Sequence, residues 1–313
     1  MNLQECLEVL ADDHRDLKHS DLMQLSGLTT EEVRYVANTW RGIVPGRKVV
    51  LLAKLREISE DNLEADFNDL LQFCLRDDDP DVKEQAIEGL WECEDRALVT
   101  TLVELLIGDP SHAVRAKAAA ALGKFATLAQ TGKMLSKDGD RVKNSLVAVV
   151  QDQEEDWDVR RRAIEAVAPF NTDDVHSMIR EAYFSDRTEM RYSAVYAMGK
   201  SCDVEWLPII FSELTSDDPA MRYEASNACG ELGEEQAVPH LIAMFGDDDQ
   251  QAQASAIAAV GAIGGELAKK ALLRCLKSAD DLAVEAAQAA LDHVDAIEGP
   301  LSFGSDRSVN PLF

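Results

Sequence analysis

Positive charge is scarce in this sequence. There are 31 Lys and Arg residues against 58 Asp and Glu, which gives a formal net charge of −27. A surface this acidic repels phosphate backbones and anionic lipid headgroups, so nucleic-acid binding and membrane-surface binding are disfavoured. We expect the partner to be a protein or a peptide of basic character.

Aromatic residues, paired cysteines and long apolar runs are also lacking. Aromatics make up 6% of the chain, which indicates a core of small and aliphatic side chains. The six cysteines include no C-x-x-C pair and are typical of free thiols in a reducing compartment. The first residues lack the basic and apolar regions of a signal peptide, and no stretch reaches the roughly 18 apolar residues of a membrane span. The sequence therefore predicts a cytoplasmic protein.

One pattern recurs along the chain. An acidic turn precedes an aliphatic anchor, Arg follows the anchor in most copies, and small residues stand four, seven and nine positions after it. The anchors are Val82, Val114, Val159, Met190, Met221, Ala252 and Ala283. From Val159 onward each step is 31 residues, whereas the step from Val114 to Val159 is 45 residues. A fixed period of this length is the signature of a repeat architecture.

Each repeat is predicted to hold two helices. Positions 0, 4, 7 and 8 share one helical face, and a second apolar segment precedes each anchored one. Thr29 and Glu32 form a capping-box pattern that opens a helix in the divergent N-terminal part. The domain prediction is a divergent N-terminal cap with repeats at 1–65, a repeat solenoid at 66–297 and a flexible tail at 298–313. The extra chain at 127–141 is either a partner-binding loop or a helix extension.

These repeats resemble the HEAT repeat, in the short bacterial variety shared with the phycobilin lyases. The resemblance is strongest from about residue 66 to residue 294. It implies an all-α, armadillo-like fold: a right-handed α-solenoid of about eight two-helix repeats, whose second helices line the concave face. It implies no single function, because the family includes adaptors, scaffolds, chromophore lyases and a metal-dependent hydroxylase.

The acidic clusters before the second helices are interpreted as helix caps that also pair with the following Arg, and attraction of a basic partner is the alternative. Asp77, Asp79, Asp81 and Glu88 match positions of a calcium loop, but Val82 replaces the glycine that such a loop requires. The hydroxylase branch carries His-Glu dyads as iron ligands, and no histidine here is followed by Glu. We expect no catalytic residues, no cofactor and no metal, and hence no enzyme.

The candidate binding site is the outward face of the second helices, together with Trp91. Subtracting core positions leaves a middle section rich in aromatic and arginine side chains, which are common anchors of interfaces. The candidate residues are Glu88, Trp91, Arg161, Arg162, Glu165, Tyr192, Tyr196, Tyr223, Glu224 and Asn227. Packing between repeats is the alternative interpretation of the same residues.

The functional hypothesis is a non-catalytic adaptor or scaffold that binds its partner on an acidic superhelical surface. One alternative is a cofactor-handling enzyme similar to the phycobilin lyases, with a pocket around Trp91, Arg161 and Tyr192. The other is a structural subunit of a larger assembly.

Overall fold

A computed structural model describes residues 3–298 of the chain and the side chains of residues 3–294. Throughout this range the regular structure is helical, and no strand occurs in it. The chain divides into an N-terminal unit, Met1–Val167, and a C-terminal unit, Ala168–Phe313.

The N-terminal unit contains a short opening segment followed by four helix pairs, of which α3 and α4 form the first. Its helices are α1 (Leu3–Ala11), α2 (His19–Leu22), α3 (Thr30–Trp40), α4 (Pro45–Asp61), α5 (Asn68–Cys74), α6 (Pro80–Gly89), α7 (Arg96–Gly108), α8 (His112–Gln130), α9 (Ser136–Gln151) and α10 (Trp157–Val167). The second helices α4, α6, α8 and α10 pack against one another in order and form one layer.

The C-terminal unit contains four further helix pairs, and 3₁₀ turns lead into some of its first helices. Its helices are α11 (Asp173–Tyr183), α12 (Thr188–Lys200), α13 (Leu207–Glu213), α14 (Pro219–Leu232), α15 (Val238–Ala243), α16 (Gln250–Ile263), α17 (Gly265–Cys275) and α18 (Asp281–Glu298). All seven anchors lie on second helices, from Val82 on α6 to Ala283 on α18. The prediction of an all-α solenoid of about eight two-helix repeats is confirmed.

Small residues set the distance between neighbouring second helices. A Cβ atom added to Gly199 on α12 would lie 2.7 Å from the Cα atom of Ala228 on α14. Likewise, a Cβ atom on Gly261 would lie 2.7 Å from the Cβ atom of Ala290. At Gly199 and Gly261 the glycine is therefore required by close backbone approach, because a side chain there would overlap the next helix.

The acidic turns cap the second helices, as the sequence predicts. The side chains of Asp79, Asp218 and Asp249 accept hydrogen bonds from backbone N–H groups in the first turns of α6, α14 and α16. These groups have no partner within the helix itself, so an acceptor at this place stabilises the helix start. The predicted capping box is also present: Thr29 and Glu32 exchange hydrogen bonds at the start of α3.

In several repeats the residue after the anchor reaches the acidic turn of the following repeat. In the N-terminal unit Lys83 pairs with Asp109, and Arg115 pairs with Glu155 at 2.7 Å. In the C-terminal unit Arg222 pairs with Asp247, and its Nη2 lies 2.6 Å from Oδ1.

These contacts from one repeat to the next form a ladder along the chain. At the ends of the ladder other side chains make the same contact. Lys48 on α4 lies 2.8 Å from Asp77, and Gln253 on α16 donates a hydrogen bond to Asp280 over 3.1 Å. Arg191 is a looser member, at 3.9 Å from Glu213. Arg160 donates to the backbone oxygen of Val150. The prediction that the arginines pair with acidic turns thus holds for Arg115 and Arg222, and lysine or glutamine takes the same place elsewhere.

Acid should weaken the C-terminal unit through Asp247. The hydrogen bond from Arg222 lowers the pKa of this carboxyl below its usual value. The contribution of Asp247 to stability is therefore complete above about pH 3.9, the pKa of Asp in the unfolded chain. It is lost as the pH falls through the lower pKa that Asp247 has in the folded protein. Arg222→Gln should flatten this acid dependence, measured as the urea midpoint between about pH 5 and pH 2.5. An unchanged acid profile in Arg222→Gln would show that the pair does not set the pKa of Asp247.

The extra chain between Val114 and Val159 lengthens two helices. α8 continues to Gln130 and α9 begins at Ser136, so the connection itself is short. A Cβ atom on Gly139 would lie 2.9 Å from the Cβ atom of Ala129, which shows how closely the two extensions pack. The structure therefore favours the helix-extension interpretation of residues 127–141.

Three other sequence-based predictions concern the domain limits, the cysteines and membrane-spanning helices. The boundary at residue 65 stays a prediction, and the predicted tail at 298–313 lies outside the described residues apart from Glu298. All six cysteines are free thiols, and only Cys202 is exposed. Within residues 3–298 no helix has the length and apolar character needed to cross a bilayer.

Candidate partner-binding surface

The ten predicted site residues divide equally between the two units. Glu88, Trp91, Arg161, Arg162 and Glu165 belong to the N-terminal unit. The remaining residues are Tyr192, Tyr196, Tyr223, Glu224 and Asn227, all in the C-terminal unit.

Four of the five C-terminal candidates line one groove of about 540 Å³, which we call the tyrosine groove. Its lining is formed by Tyr196, Tyr223, Glu224, Asn227, Ala228, Gly230, Glu231, Ala258, Ala259 and Ala262. The alanines and the glycine belong to α14 and α16. The small residues that allow these helices to pack closely therefore form the floor of the groove as well. These four candidates therefore share one surface, and their role in binding stays a prediction.

The two tyrosines of the groove present their rings to solvent. Tyr196 is 38% exposed and Tyr223 is 39% exposed. The Nζ atom of Lys200 lies 5.6 Å from the ring centroid of Tyr196 and 2.6 Å from Glu231. A half-exposed tyrosine combines a large apolar area with a polar tip, which suits it to a protein interface.

Tyr192 is used differently. Its hydroxyl donates to Asp218 Oδ2 over 2.5 Å, so it ties α12 to the turn before α14. Burial, the hydrogen bond and the charge of Asp218 together raise the pKa of Tyr192 to about 12. Tyr192 does not line the tyrosine groove. For this residue the structure favours packing between repeats.

In the N-terminal unit Trp91 lies at a second cavity. Trp91 is 55% exposed and borders a cavity of about 320 Å³, whose mostly apolar lining includes Leu98 and Phe125. Lys124 lies beside it and donates to the backbone oxygen of Trp91 over 2.8 Å. Burial lowers the pKa of Lys124. Arg161 does not line this cavity.

The charged candidates of the N-terminal unit form ion pairs with neighbouring side chains. Glu88 accepts from both Arg56 on α4 and Lys117 on α8, so it bridges three second helices. Arg161 lies 3.1 Å and Arg162 lies 2.8 Å from the carboxylate of Glu165 on the same helix. Pairs at these spacings stabilise a helix locally. Glu88 is therefore placed to hold repeats together, whereas the pairs of Glu165 stabilise α10 itself.

The buried cysteines are not arranged as nucleophiles. Burial, the largest cause, raises the pKa of Cys6 to about 11 and that of Cys229 to about 12. Both therefore stay protonated and unreactive at neutral pH.

One cluster in the C-terminal unit could not be predicted from residue spacing. His176 on α11 lies beside Asp203 and Glu205, which precede α13. Because His176 and Asp203 are separated by 27 positions, only the packing of successive repeats brings them together.

Comparison with known families agrees with this architecture. The HEAT-repeat model matches residues 67–148 and 207–292, which together are more than half of the chain. The chain belongs to the HEAT-repeat family. The resemblance inferred from the sequence is thus confirmed. No curated protein matches this HEAT-repeat protein in sequence.

Solved structures similar to this HEAT-repeat protein are distant in sequence. The complex of CpcE and CpcF of phycocyanin lyase from Nostoc sp. PCC7120 is 17% identical, with 74% of this chain and 94% of that chain covered and a TM-score of 0.49. Human deoxyhypusine hydroxylase is 17% identical over 94% of this chain and 96% of that chain, with a TM-score of 0.36. Kap95p, from its complex with RanGDP, is 14% identical over 93% of this chain and 40% of that chain, with a TM-score of 0.43. None of these similarities identifies an activity here.

Proposed function

We propose that this HEAT-repeat protein is a non-catalytic adaptor or scaffold in the cytoplasm that holds a basic protein or peptide segment. The observation that carries the proposal is the tyrosine groove. It combines two half-exposed tyrosine rings, two carboxylates (Glu224 and Glu231) and a floor of small side chains. Such a surface offers apolar contact area to an alkyl stem and negative charge to its cationic end.

The net charge supports the same partner chemistry. A charge of −27 on the whole chain attracts cationic partners from beyond contact distance and accelerates their association. This attraction is screened by salt, because the Debye length is about 8 Å at physiological ionic strength. Binding should therefore weaken as salt is raised, mostly through a slower association rate.

Partner binding should depend on the tyrosine groove. We expect Tyr223→Ala combined with Glu224→Lys to weaken binding about tenfold or more, since it removes one aromatic anchor and reverses one charge. The measurement is quantitative crosslinking mass spectrometry in native cells, which names the neighbour and the face it touches. Purified partner and protein then give the affinity and its salt dependence by surface plasmon resonance.

Two variants serve as matched controls. Tyr35→Ala removes a tyrosine of similar exposure, 42%, from the N-terminal unit. Glu266→Lys makes the same charge reversal at a side chain that is 88% exposed on α17, outside the groove. Both should bind the partner like the unaltered protein. If Glu266→Lys weakens binding as much as the groove variant does, total charge, and not the groove, selects the partner.

The cavity beside Trp91 favours a second candidate function, the lyase-like handling of a small cofactor. Its volume of about 320 Å³ is at the lower end of small-molecule sites, and its lining is mostly apolar. Visible absorption or mass spectrometry of the natively purified protein tests this candidate. A chromophore that co-purifies and is lost in Trp91→Ala would favour it over the adaptor.

A further inference from the structure

Four side chains with metal-binding atoms meet at the start of α11. His176, Asp203 and Glu205 each offer a ligand atom, and these atoms lie within 4.8 Å of one another. The side-chain oxygen of Asn171 adds a fourth, at 2.5 Å from His176 Nε2. An imidazole with carboxylate and amide oxygens is a donor set that suits divalent first-row transition metals.

The contacts of the imidazole give its two nitrogens different roles. His176 Nδ1 lies 3.0 Å from Glu205 Oε1, so the proton of a neutral ring is best placed on Nδ1. The same oxygen accepts from Arg180 over 2.9 Å, which fixes the carboxylate. On its other side Nε2 lies 2.5 Å from Asn171 Oδ1, a distance at which Nε2 donates a hydrogen bond, and Asp203 Oδ2 lies 3.8 Å from Nε2. A carboxylate that orients a histidine through the far nitrogen is the usual support of a metal-binding histidine.

Asp203 also has an oxygen suitably placed for a ligand role. Its Oδ1 accepts from the backbone N–H of Glu205 over 2.9 Å and caps the 3₁₀ turn. Oδ2 is the atom that faces His176. The cap holds the carboxylate in one orientation, so little freedom would be lost when Oδ2 binds an ion.

Two orphaned polar atoms border the same cluster. Within the described residues, Thr172 Oγ1 and Trp206 Nε1 are the buried side-chain polar atoms that have no hydrogen-bond partner. Trp206 is fully buried, and its ring centroid is 5.2 Å from that of His176. The backbone oxygen of Thr172 accepts from the N–H of His176 over 2.9 Å. Buried polar atoms nearly always find partners, so these two atoms are suited to hold ordered water next to the cluster.

An ion-pair network alone explains only part of this arrangement. Arg180, Glu205 and His176 form such a network, which accounts for the position of Glu205. A hydrogen bond from Nε2 accounts for the position of Asn171. Asp203 Oδ2, at 3.8 Å from Nε2, is too far for a direct hydrogen bond to the ring, and a cation between these two atoms gives both a favourable contact.

We propose that this cluster is a binding site for a divalent transition-metal ion of the Zn²⁺ class. His176 Nε2 and Asp203 Oδ2 are the ligands, the ion displaces to solvent the proton that joins Nε2 to Asn171, and water completes the coordination. Glu205 is a positioning residue that acts through His176. The ion would join the start of α11 to the connection between α12 and α13, and so brace two successive repeats.

Titration calorimetry with ZnCl₂, at about 0.15 M salt to screen general attraction to the acidic surface, tests the site. We expect one saturable ion per chain, and a Co²⁺ complex with visible absorption typical of nitrogen and oxygen ligands. His176→Gln should lower the affinity about a hundredfold, Asp203→Asn at least tenfold, and Glu205→Gln about tenfold, because it only orients the ring. Bound Zn²⁺ should also raise the thermal midpoint in the unaltered protein but not in His176→Gln.

Two controls separate this site from other metal-binding groups. Cys202→Ser removes an exposed thiol next to Asp203, and His240→Gln removes a histidine that stacks on Phe211 in the same unit. Both should keep the full affinity, and circular dichroism checks that every variant is folded. The proposal is overturned by the absence of saturable binding, or by binding that His176→Gln leaves unchanged in a folded protein.

Discussion

Lys83→Met should lower the free energy of unfolding of the N-terminal unit by about 3–5 kcal/mol, the usual result of removing one partner from a buried ion pair. Lys83 and Asp109 are both buried, with side chains 10% and 4% exposed. Without the ammonium group, Asp109 keeps only the hydrogen bond from the N–H of Ser111 for its carboxylate. The loss is measured as the change in the urea or guanidinium unfolding curve.

A double variant separates the uncompensated charge from the lost packing. Lys83→Met with Asp109→Asn removes both charges, while the amide oxygen can still accept from Ser111. It should recover most of the loss, because a pair replaced by neutral groups leaves no buried charge. If the double variant is no more stable than Lys83→Met, the desolvated carboxylate is not the cause of the effect.

Gly199→Val should destabilise the C-terminal unit by about 3 kcal/mol, at the upper end of the usual cost of overpacking. Even a single added carbon would lie 2.7 Å from Ala228 Cα, which is backbone and cannot rotate away. α12 and α14 must therefore move apart, and the adjoining core contacts are lost with them. The same measurement in Gly199→Ala should give a smaller loss in the same direction.

The control for the glycine prediction is Gly46→Ala on α4, where an added Cβ atom has no neighbour within 4 Å. It should be neutral or stabilise by up to about 1 kcal/mol through helix propensity. Ala228→Gly should rescue Gly199→Ala only in part, since the clash is with the backbone as well as with the Cβ atom. A Gly199→Val protein as stable as the Gly46→Ala protein would refute the close-approach argument.

The repeat and its helix pairs could be predicted from the sequence, because they follow from the spacing of the anchor and capping residues alone. The anchors from Val82 to Ala283 fall on second helices, and the caps at Asp79, Asp218 and Asp249 stand where acid precedes an anchor. Periodicity and capping are local properties, so no knowledge of distant contacts is needed for them.

The candidate surface could be predicted only in part. The residue spacing placed Tyr196, Tyr223, Glu224 and Asn227 on one surface, and the structure joins them in one groove. The bond between Tyr192 and Asp218 could not be inferred, because it depends on how one repeat stacks on the next. The ion pairs around Glu88 and the cluster at His176 depend on the same stacking, which no single segment encodes.

The ladder between repeats has a direction along the chain. In each described pair the donor belongs to the earlier repeat and the acceptor to the later one, as in Lys83 with Asp109 and Arg222 with Asp247. A repeat duplicated during evolution, or spliced in by design, therefore fits between two neighbours if it carries an acid in its turn and a donor one residue after its anchor. A repeat with these two groups exchanged would place like charges against each other at both of its junctions. Growth of the array by whole repeats is thus compatible with this chemistry, whereas inversion of the charge order is not.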